Sequence, residues 1–259
     1  MLGAMIGDIV GSVYEWNNIK TTDFPLFQQS CFFTDDTVLT AATAKALMTD
    51  GDFSAAYQNF ARRYPQRGYG GNFSHWIYSN DPQPYNSWGN GSAMRISPVG
   101  FAFDSEEMVL EAAEQSAKVT HNHPEGIKGA QSTALAILLA RGGKSQKEIR
   151  HEIMSRFGYN LDRTLDEIRP GYAFDVSCQG SVPEAMIAFL ESQGYEDAIR
   201  KAISLGGDSD TIACITGGIA EAFYGGVPVD IAAEGQKFLP NEFIQILEAF
   251  QEWRQRKDD

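Results

Sequence analysis

Leu205-Gly206-Gly207-Asp208-Ser209-Asp210-Thr211 runs without a break into the apolar stretch Ile212-Ala213-Cys214-Ile215. Two carboxylates one residue apart, followed by a threonine where a helical pattern begins, form a compact oxygen cluster of the kind hard divalent cations prefer. A matching stretch lies far upstream. Phe33-Thr34-Asp35-Asp36-Thr37 stands directly ahead of a second helical pattern, Val38, Leu39, Ala42, Ala46 and Leu47. Both clusters read as helix starts, and the rest of the chain follows them: helical periodicity dominates and strand-like alternation is scarce. The spacing predicts helices over roughly 2–15, 35–49, 53–63, 105–118, 124–141, 145–157, 181–192, 195–205, 211–224, 228–238 and 241–256. Starts are marked by Thr34 or Asp35, by Asp104-Ser105, and by Ser181-Val182-Pro183-Glu184 with its proline in the first turn. Gly51, Gly142-Gly143, Gly158, Gly194 and Gly225-Gly226 stand where helices should end. With no internal repeat, low-complexity tract or linker, residues 1–259 read as one all-α domain.

If the two acidic clusters meet in space, they bring four carboxylates and several threonine hydroxyls to one site. Carboxylates that close raise one another's pKa steeply, so such a site calls for cations. Composition sets the limits on partners. With 34 acidic against 21 basic residues the net charge is −13, which argues against a nucleic-acid or anionic-membrane footprint. Cys31, Cys178 and Cys214 are widely spaced and contain no CxxC pair, so neither a disulfide framework nor a zinc site is expected. Met1 to Val10 lacks a basic lead and is interrupted by Asp8, unlike a signal peptide. No apolar run reaches the ~18 residues of a membrane span. These features read as a soluble, cytoplasmic protein, taken as a monomer.

The interval from Gly68 to Pro98 differs in character. It carries five glycines, four asparagines and the aromatics Tyr69, Phe73, Trp76, Tyr78, Tyr85 and Trp88, which reads as a long, ordered, irregular loop. From Phe53 to Phe103 there are four arginines, Arg62, Arg63, Arg67 and Arg95, against a single acid, Asp81. That local excess of positive charge suits a phosphate-bearing ligand. The same features also fit an ordinary surface loop.

The motifs together resemble the ADP-ribosylglycohydrolases, the family that includes the dinitrogen-reductase-activating glycohydrolase and the ADP-ribosyl-acceptor hydrolases. Gly7-Asp8-Ile9-Val10-Gly11 with Glu15 is similar to the family's opening motif, and Thr34-Asp35-Asp36 to its first metal motif. Arg67-Gly68-Tyr69-Gly70 and Trp88-Gly89-Asn90-Gly91-Ser92-Ala93-Met94-Arg95 resemble its ligand loops. Thr120-His121-Asn122-His123-Pro124-Glu125 and Gly206-Gly207-Asp208-Ser209-Asp210-Thr211 complete a set of six in the family's order. The resemblance implies an all-α fold and a binuclear Mg²⁺ or Mn²⁺ centre held by Thr34, Asp35, Asp36, Asp208, Asp210 and Thr211. It also implies hydrolysis of the bond between an acceptor and C1 of the distal ribose of ADP-ribose. The substrate would be an ADP-ribosylated protein, modified for instance on arginine or serine, or a small ADP-ribose conjugate. Read alone, either acidic cluster is equally a helix cap.

Glycosidic cleavage passes through an oxocarbenium-like transition state, so the site must deliver water and protonate or stabilise the leaving group. Asp35, Asp36, Asp208 and Asp210 are expected principally as ligands. One of them, such as Asp35 or Asp36, or by preference Glu15, acts as general acid or base. The resemblance places His121 on the ADP-ribose, whereas His123 reads as a turn and cap before the next helix. Gly70, Ser87, Gly89 and Asn90 would approach the diphosphate and ribose, glycine permitting close backbone contact. Tyr69 and Trp88 either stack on adenine or pack. Asp8 reads as a residue beside the metal shell or as a cap. A catalytically silent relative is the competing reading, and the intact acidic clusters speak against it.

Overall fold

The expected helical periodicity carries through the computed structural model of the chain, which describes residues 1–258, with side chains through residue 256. Among the described residues there are fifteen helices and no strand. In chain order they begin α1 (Leu2–Gly11), α2 (Asp35–Met48), α3 (Phe53–Arg63), α4 (Gly71–Ile77) and α5 (Gly91–Met94). Next come α6 (Ser97–Ala102), α7 (Glu106–Lys118), α8 (Pro124–Arg141), α9 (Gln146–Phe157) and α10 (Leu165–Ile168). The order closes with α11 (Cys178–Leu190), α12 (Tyr195–Ile203), α13 (Ser209–Phe223), α14 (Val229–Gln236) and α15 (Asn241–Asp258).

Two helices form the axis of the molecule. Gly3 through Gly11 of α1 are all buried, and α13 buries every residue except Glu221 and Phe223. A helix apolar on every side belongs in a core, with other helices around it. The pair packs at backbone distance: a Cβ added to Gly7 would lie 2.1 Å from the Ala213 carbonyl oxygen. Only glycine at that position allows the approach. One apolar cluster, with Leu135, Ile137, Val182, Phe189 and Ile199, gathers α8, α11 and α12 around α13. A second, with Leu39, Tyr57, Phe60, Trp76 and Phe243, gathers α2, α3, α4 and α15. The two clusters hold α2 and α13 so that the helix starts carrying the acidic motifs face each other. Thr211 Oγ1 donates to Asp36 Oδ2 at 3.3 Å across 175 residues of chain.

Element boundaries depart from expectation in four places. The first helix ends at Gly11 rather than near residue 15. The interval 68–98 is not irregular throughout, because α4 and α5 lie within it and α6 begins at Ser97; these helices are too short to display a period. The helix expected from Ser181 starts at Cys178, where Ser177 accepts from the Gly180 N–H, and Pro183 therefore sits inside it rather than in its first turn. Helix α10 was not expected, although Thr164 and Glu167 form a complete capping box around it. No helix is long and apolar enough to cross a membrane among the described residues.

Candidate active site

Asp8 lies in the buried interior of α1, where an unpaired carboxylate is costly. Its partners come from the start of α2. Oδ1 accepts from Thr34 Oγ1 at 2.7 Å, and Oδ2 accepts from the backbone N–H groups of Thr34 at 3.0 Å and Thr37 at 3.1 Å. A negative charge at a helix N-terminus is also favoured by the helix dipole. Burial still pushes the Asp8 carboxyl up to about 6, against the pull of these hydrogen bonds. Asp8 thus pins the first turn of α2 to α1.

Around that pin the carboxylates gather. Asp8, Asp36 and Asp210 offer oxygens that all lie within 4.8 Å of one another, and Glu15, Asp208 and Asp210 form a second such group sharing Asp210. Asp36 Oδ2 accepts from Thr34 Oγ1 at 3.2 Å as well as from Thr211. The other oxygen of Asp36 and Oδ1 of Asp210 are buried with no hydrogen-bond partner. Burial, then mutual repulsion, holds Asp36 and Asp210 well above the usual carboxylate range. Asp35 rises for the same reasons, with Asp8 as its main charged neighbour. Glu15 is pushed up to about 7, chiefly by burial and then by Asp208 and Asp8. Orphaned oxygens inside an overcrowded negative cluster are what a divalent cation would satisfy. The donors are carboxylates with hydroxyls close by; the one thiol beside them, Cys214, is kept protonated by burial and the Asp36 and Asp8 charges and bonds the Met94 carbonyl at 3.3 Å. The set therefore suits a hard cation rather than zinc.

The clusters floor a cavity of about 450 Å³. Gly70, Ser87, Gly89, Asn90 and His121 all line it. The segment through Gly89 is anchored opposite Ser177 by an isolated antiparallel bridge, with Asn90 N–H on the Val176 carbonyl at 2.7 Å and Cys178 N–H on the Trp88 carbonyl at 2.9 Å. Asn90 ties this wall to the floor, since its Nδ2 donates to Asp208 Oδ2 at 2.6 Å and to Ser181 Oγ at 3.1 Å. At the rim, Trp16 and Phe174 stack at 5.1 Å while both remain exposed.

Of the expected site residues, Glu15, Asp35, Asp36, Gly70, Ser87, Gly89, Asn90, His121, Asp208, Asp210 and Thr211 line the cavity, and the others differ in placement. Asp35 lines the cavity but belongs to neither carboxylate group, and Thr34 serves as the cap of α2. Asp8, expected beside the shell, stands within a group. Of the four arginines expected to face a phosphate, only Arg95 lines the cavity. Arg62 bonds the Ile77 carbonyl, Arg63 pairs with Glu242, and Arg67 lies over the Phe33 ring, each held away by a local partner. Tyr69 packs on Phe73, and Trp88 meets His123 edge-on, so neither lines the cavity. His123 caps α8, accepting from the Glu125 N–H at 3.1 Å. Asp81 accepts from Gln83 at the surface. Trp16, Tyr85, Phe174 and Val176 line the cavity without any motif to announce them.

The ADP-ribosylglycohydrolase family model matches residues 1–257. The chain belongs to this family. It is 26% identical to the mouse "ADP-ribosylhydrolase ARH3", over 97% of this chain and 87% of the relative. It is 28% identical to the human protein of the same name, over 87% and 84%. A bacterial relative, "ADP-ribosylarginine hydrolase Tri1" of Pseudomonas putida, is 27% identical over 87% of this chain and 69% of its own. Among solved structures, an "ADP-ribosylglycohydrolase-related protein complex" superposes with a TM-score of 0.71 at 23% identity, covering 98% and 96% of the two chains. The helical architecture is accordingly that of the ADP-ribosylglycohydrolases.

Proposed function

We propose that this ADP-ribosylglycohydrolase removes ADP-ribose from a modified acceptor, a protein side chain such as arginine or serine, by hydrolysing the bond at C1 of the distal ribose. The observation that carries the reading is the pair of carboxylate groups sharing Asp210, with two orphaned buried oxygens, at the floor of a cavity walled by Gly89 and Asn90. Thr34, Asp35, Asp36, Asp208, Asp210 and Thr211 would hold two Mg²⁺ or Mn²⁺ ions, with Glu15 beside them. Such ions supply Lewis acidity and orient water and ribose hydroxyls.

The chain's own groups do the rest. Glu15, whose carboxyl burial and the Asp208 and Asp8 charges raise to about 7 in the metal-free protein, would exchange a proton with the attacking water or the leaving group. Asn90 orients Asp208 through the 2.6 Å bond, and Asp8 holds the first turn of α2 in place. Gly70, Ser87, Gly89, Asn90 and His121 would contact the diphosphate and ribose. Asp35 or Asp36 would be the alternative acid or base, with proton transfer falling first to Glu15. Three buried free cysteines support a reducing, cytoplasmic setting, and we take the enzyme as a monomer.

The test is a panel of arginine-, serine- and O-acetyl-linked ADP-ribose assayed with EDTA and then with Mg²⁺ or Mn²⁺. Release of ADP-ribose that appears with the ions and vanishes with EDTA is the expected result. Turnover only on the O-acetyl arm would replace the protein acceptor with a small conjugate, and no turnover on any arm would overturn the reading.

A further inference from the structure

The cavity that the carboxylates floor is lined by one arginine as well, Arg95. Arg95 is fully buried, its guanidinium lies 4.2 Å from the centre of the Tyr57 ring, and it has no carboxylate partner among the described residues. Its Nη2 donates to the Ser116 carbonyl at 2.8 Å and to Thr120 Oγ1 at 2.9 Å. Thr120 Oγ1 in turn lies 2.7 Å from His121 Nδ1.

Hydrogen-bond capacity decides how that chain runs. A guanidinium only donates, so Thr120 Oγ1 accepts from Arg95 and its single hydroxyl proton needs an acceptor. Thr120 is fully buried, and among the described residues the one acceptor bonded to its hydroxyl is His121 Nδ1. A proton on Nδ1 would leave the hydroxyl proton orphaned in a dry interior, at a cost comparable to a lost hydrogen bond. Nδ1 is therefore bare, and in the neutral ring the proton sits on Nε2. Burial and the nearby Arg95 charge keep the imidazole neutral. Tyr85, the other titratable ring against it, is pushed up to about 12 and adds no charge. Nε2 has no partner among the described residues, and Cβ atoms added to Gly91 and Gly89 would lie 3.1 and 3.5 Å from it. The glycines leave open the space that this N–H faces.

We propose that Arg95, acting through Thr120, locks His121 in the Nε2–H tautomer and so aims a neutral donor at an oxygen acceptor of the ligand lying over Gly89–Gly91. Arg95 and Thr120 are positioning residues, and His121 is the group that touches the ligand. For the identity of that ligand, the diphosphate of ADP-ribose, the inference rests on the function proposed above; for the relay it does not.

Nitrogen NMR of ¹⁵N-histidine-labelled protein reads the tautomer directly, and calorimetry with ADP-ribose reads the donor. The wild type and Thr120→Ser should show a bare Nδ1 and protonated Nε2. Thr120→Val, which removes the hydroxyl at constant shape, should give a mixture of tautomers and weaken ADP-ribose roughly ten-fold. Arg95→Met removes the positive charge that, across the shared Thr120 hydroxyl, disfavours a proton on the near nitrogen Nδ1, so it should shift the proton towards Nδ1, a change that a merely structural arginine would not produce. Wild-type protein with its proton on Nδ1, or unchanged tautomers in both Thr120→Val and Arg95→Met, overturns the relay. A locked wild-type tautomer without any ADP-ribose binding would uphold the relay and sink the functional reading instead.

Discussion

Asp36→Asn should make the metal-free protein more stable and the metal-loaded protein less responsive. Asp36 shares its group with Asp8 and Asp210 at oxygen separations within 4.8 Å. Two full charges at that distance repel by about 3.5 kcal/mol at an effective dielectric constant near 20. The metal-free cluster relieves part of this by taking up protons, as the raised carboxyls of Asp36 and Asp210 show. The amide keeps the shape of the carboxylate. Its oxygen can still accept from Thr34 and Thr211, and its NH₂, placed where Oδ1 lacks a partner, can donate into the cluster. A net gain of about 1–3 kcal/mol in EDTA at pH 8 is expected, or roughly 2–12 °C in Tm for a chain of this size.

Magnesium should reverse the order. At a free concentration 100 times Kd, one bound ion stabilises the native state by about 2.7 kcal/mol, or roughly 5–10 °C. The parent should show that rise and the variant little of it. Differential scanning calorimetry with EDTA, then with a Mg²⁺ series, reads both effects. An Asp36→Asn protein that melts below the parent in EDTA, or that gains as much from Mg²⁺, would refute the argument that this cluster is an unfinished cation site.

Glu15→Gln should lower kcat by about 10²–10⁴ while ADP-ribose affinity in calorimetry barely changes, because proton transfer is lost and the ligand wall is not. In Gly7→Ala the new Cβ meets the Ala213 carbonyl oxygen at 2.1 Å, a backbone atom that cannot step aside; urea unfolding should show a loss of about 3 kcal/mol or more, and parental stability would contradict the packing of α1 on α13. Metal-free stability should fall as pH rises from about 4.5 to about 7, because Glu15 and the five buried or half-buried aspartates around it keep protons in the native state that the unfolded chain has released. His121 and the Met1 amine, both with lowered pKa values, oppose this slope as two groups against six, and saturating Mg²⁺ should flatten it in EDTA-versus-Mg²⁺ melts across that range.

What the sequence reveals about this site depends on how far each interaction reaches along the chain. Thr34-Asp35-Asp36 and Asp208-Ser209-Asp210-Thr211 are legible because a helix start is a local event, written in adjacent residues. The role of Asp8 is not, since its partners Thr34 and Thr37 lie 26 and 29 residues away and nothing beside it marks the contact. The arginines mislead for the same reason: counted together they read as charge facing a ligand, yet Arg62, Arg63 and Arg67 are held by local partners and only Arg95 lines the cavity. The short helices between Gly71 and Ala102 escape periodicity altogether, because four to seven residues do not complete two turns.

The least legible determinant is also the one that builds the site. A Cβ on Gly11 would lie 2.5 Å from the Asp210 Cα, just as one on Gly7 would strike Ala213. Glycine every fourth residue along α1 thus lets the start of α13 slide against it until Asp210 reaches the Asp8 group. In the sequence Gly7 and Gly11 bracket Asp8 and look like part of an acidic motif. In the structure they are what brings two acidic motifs, each at an ordinary helix start, close enough to need a cation.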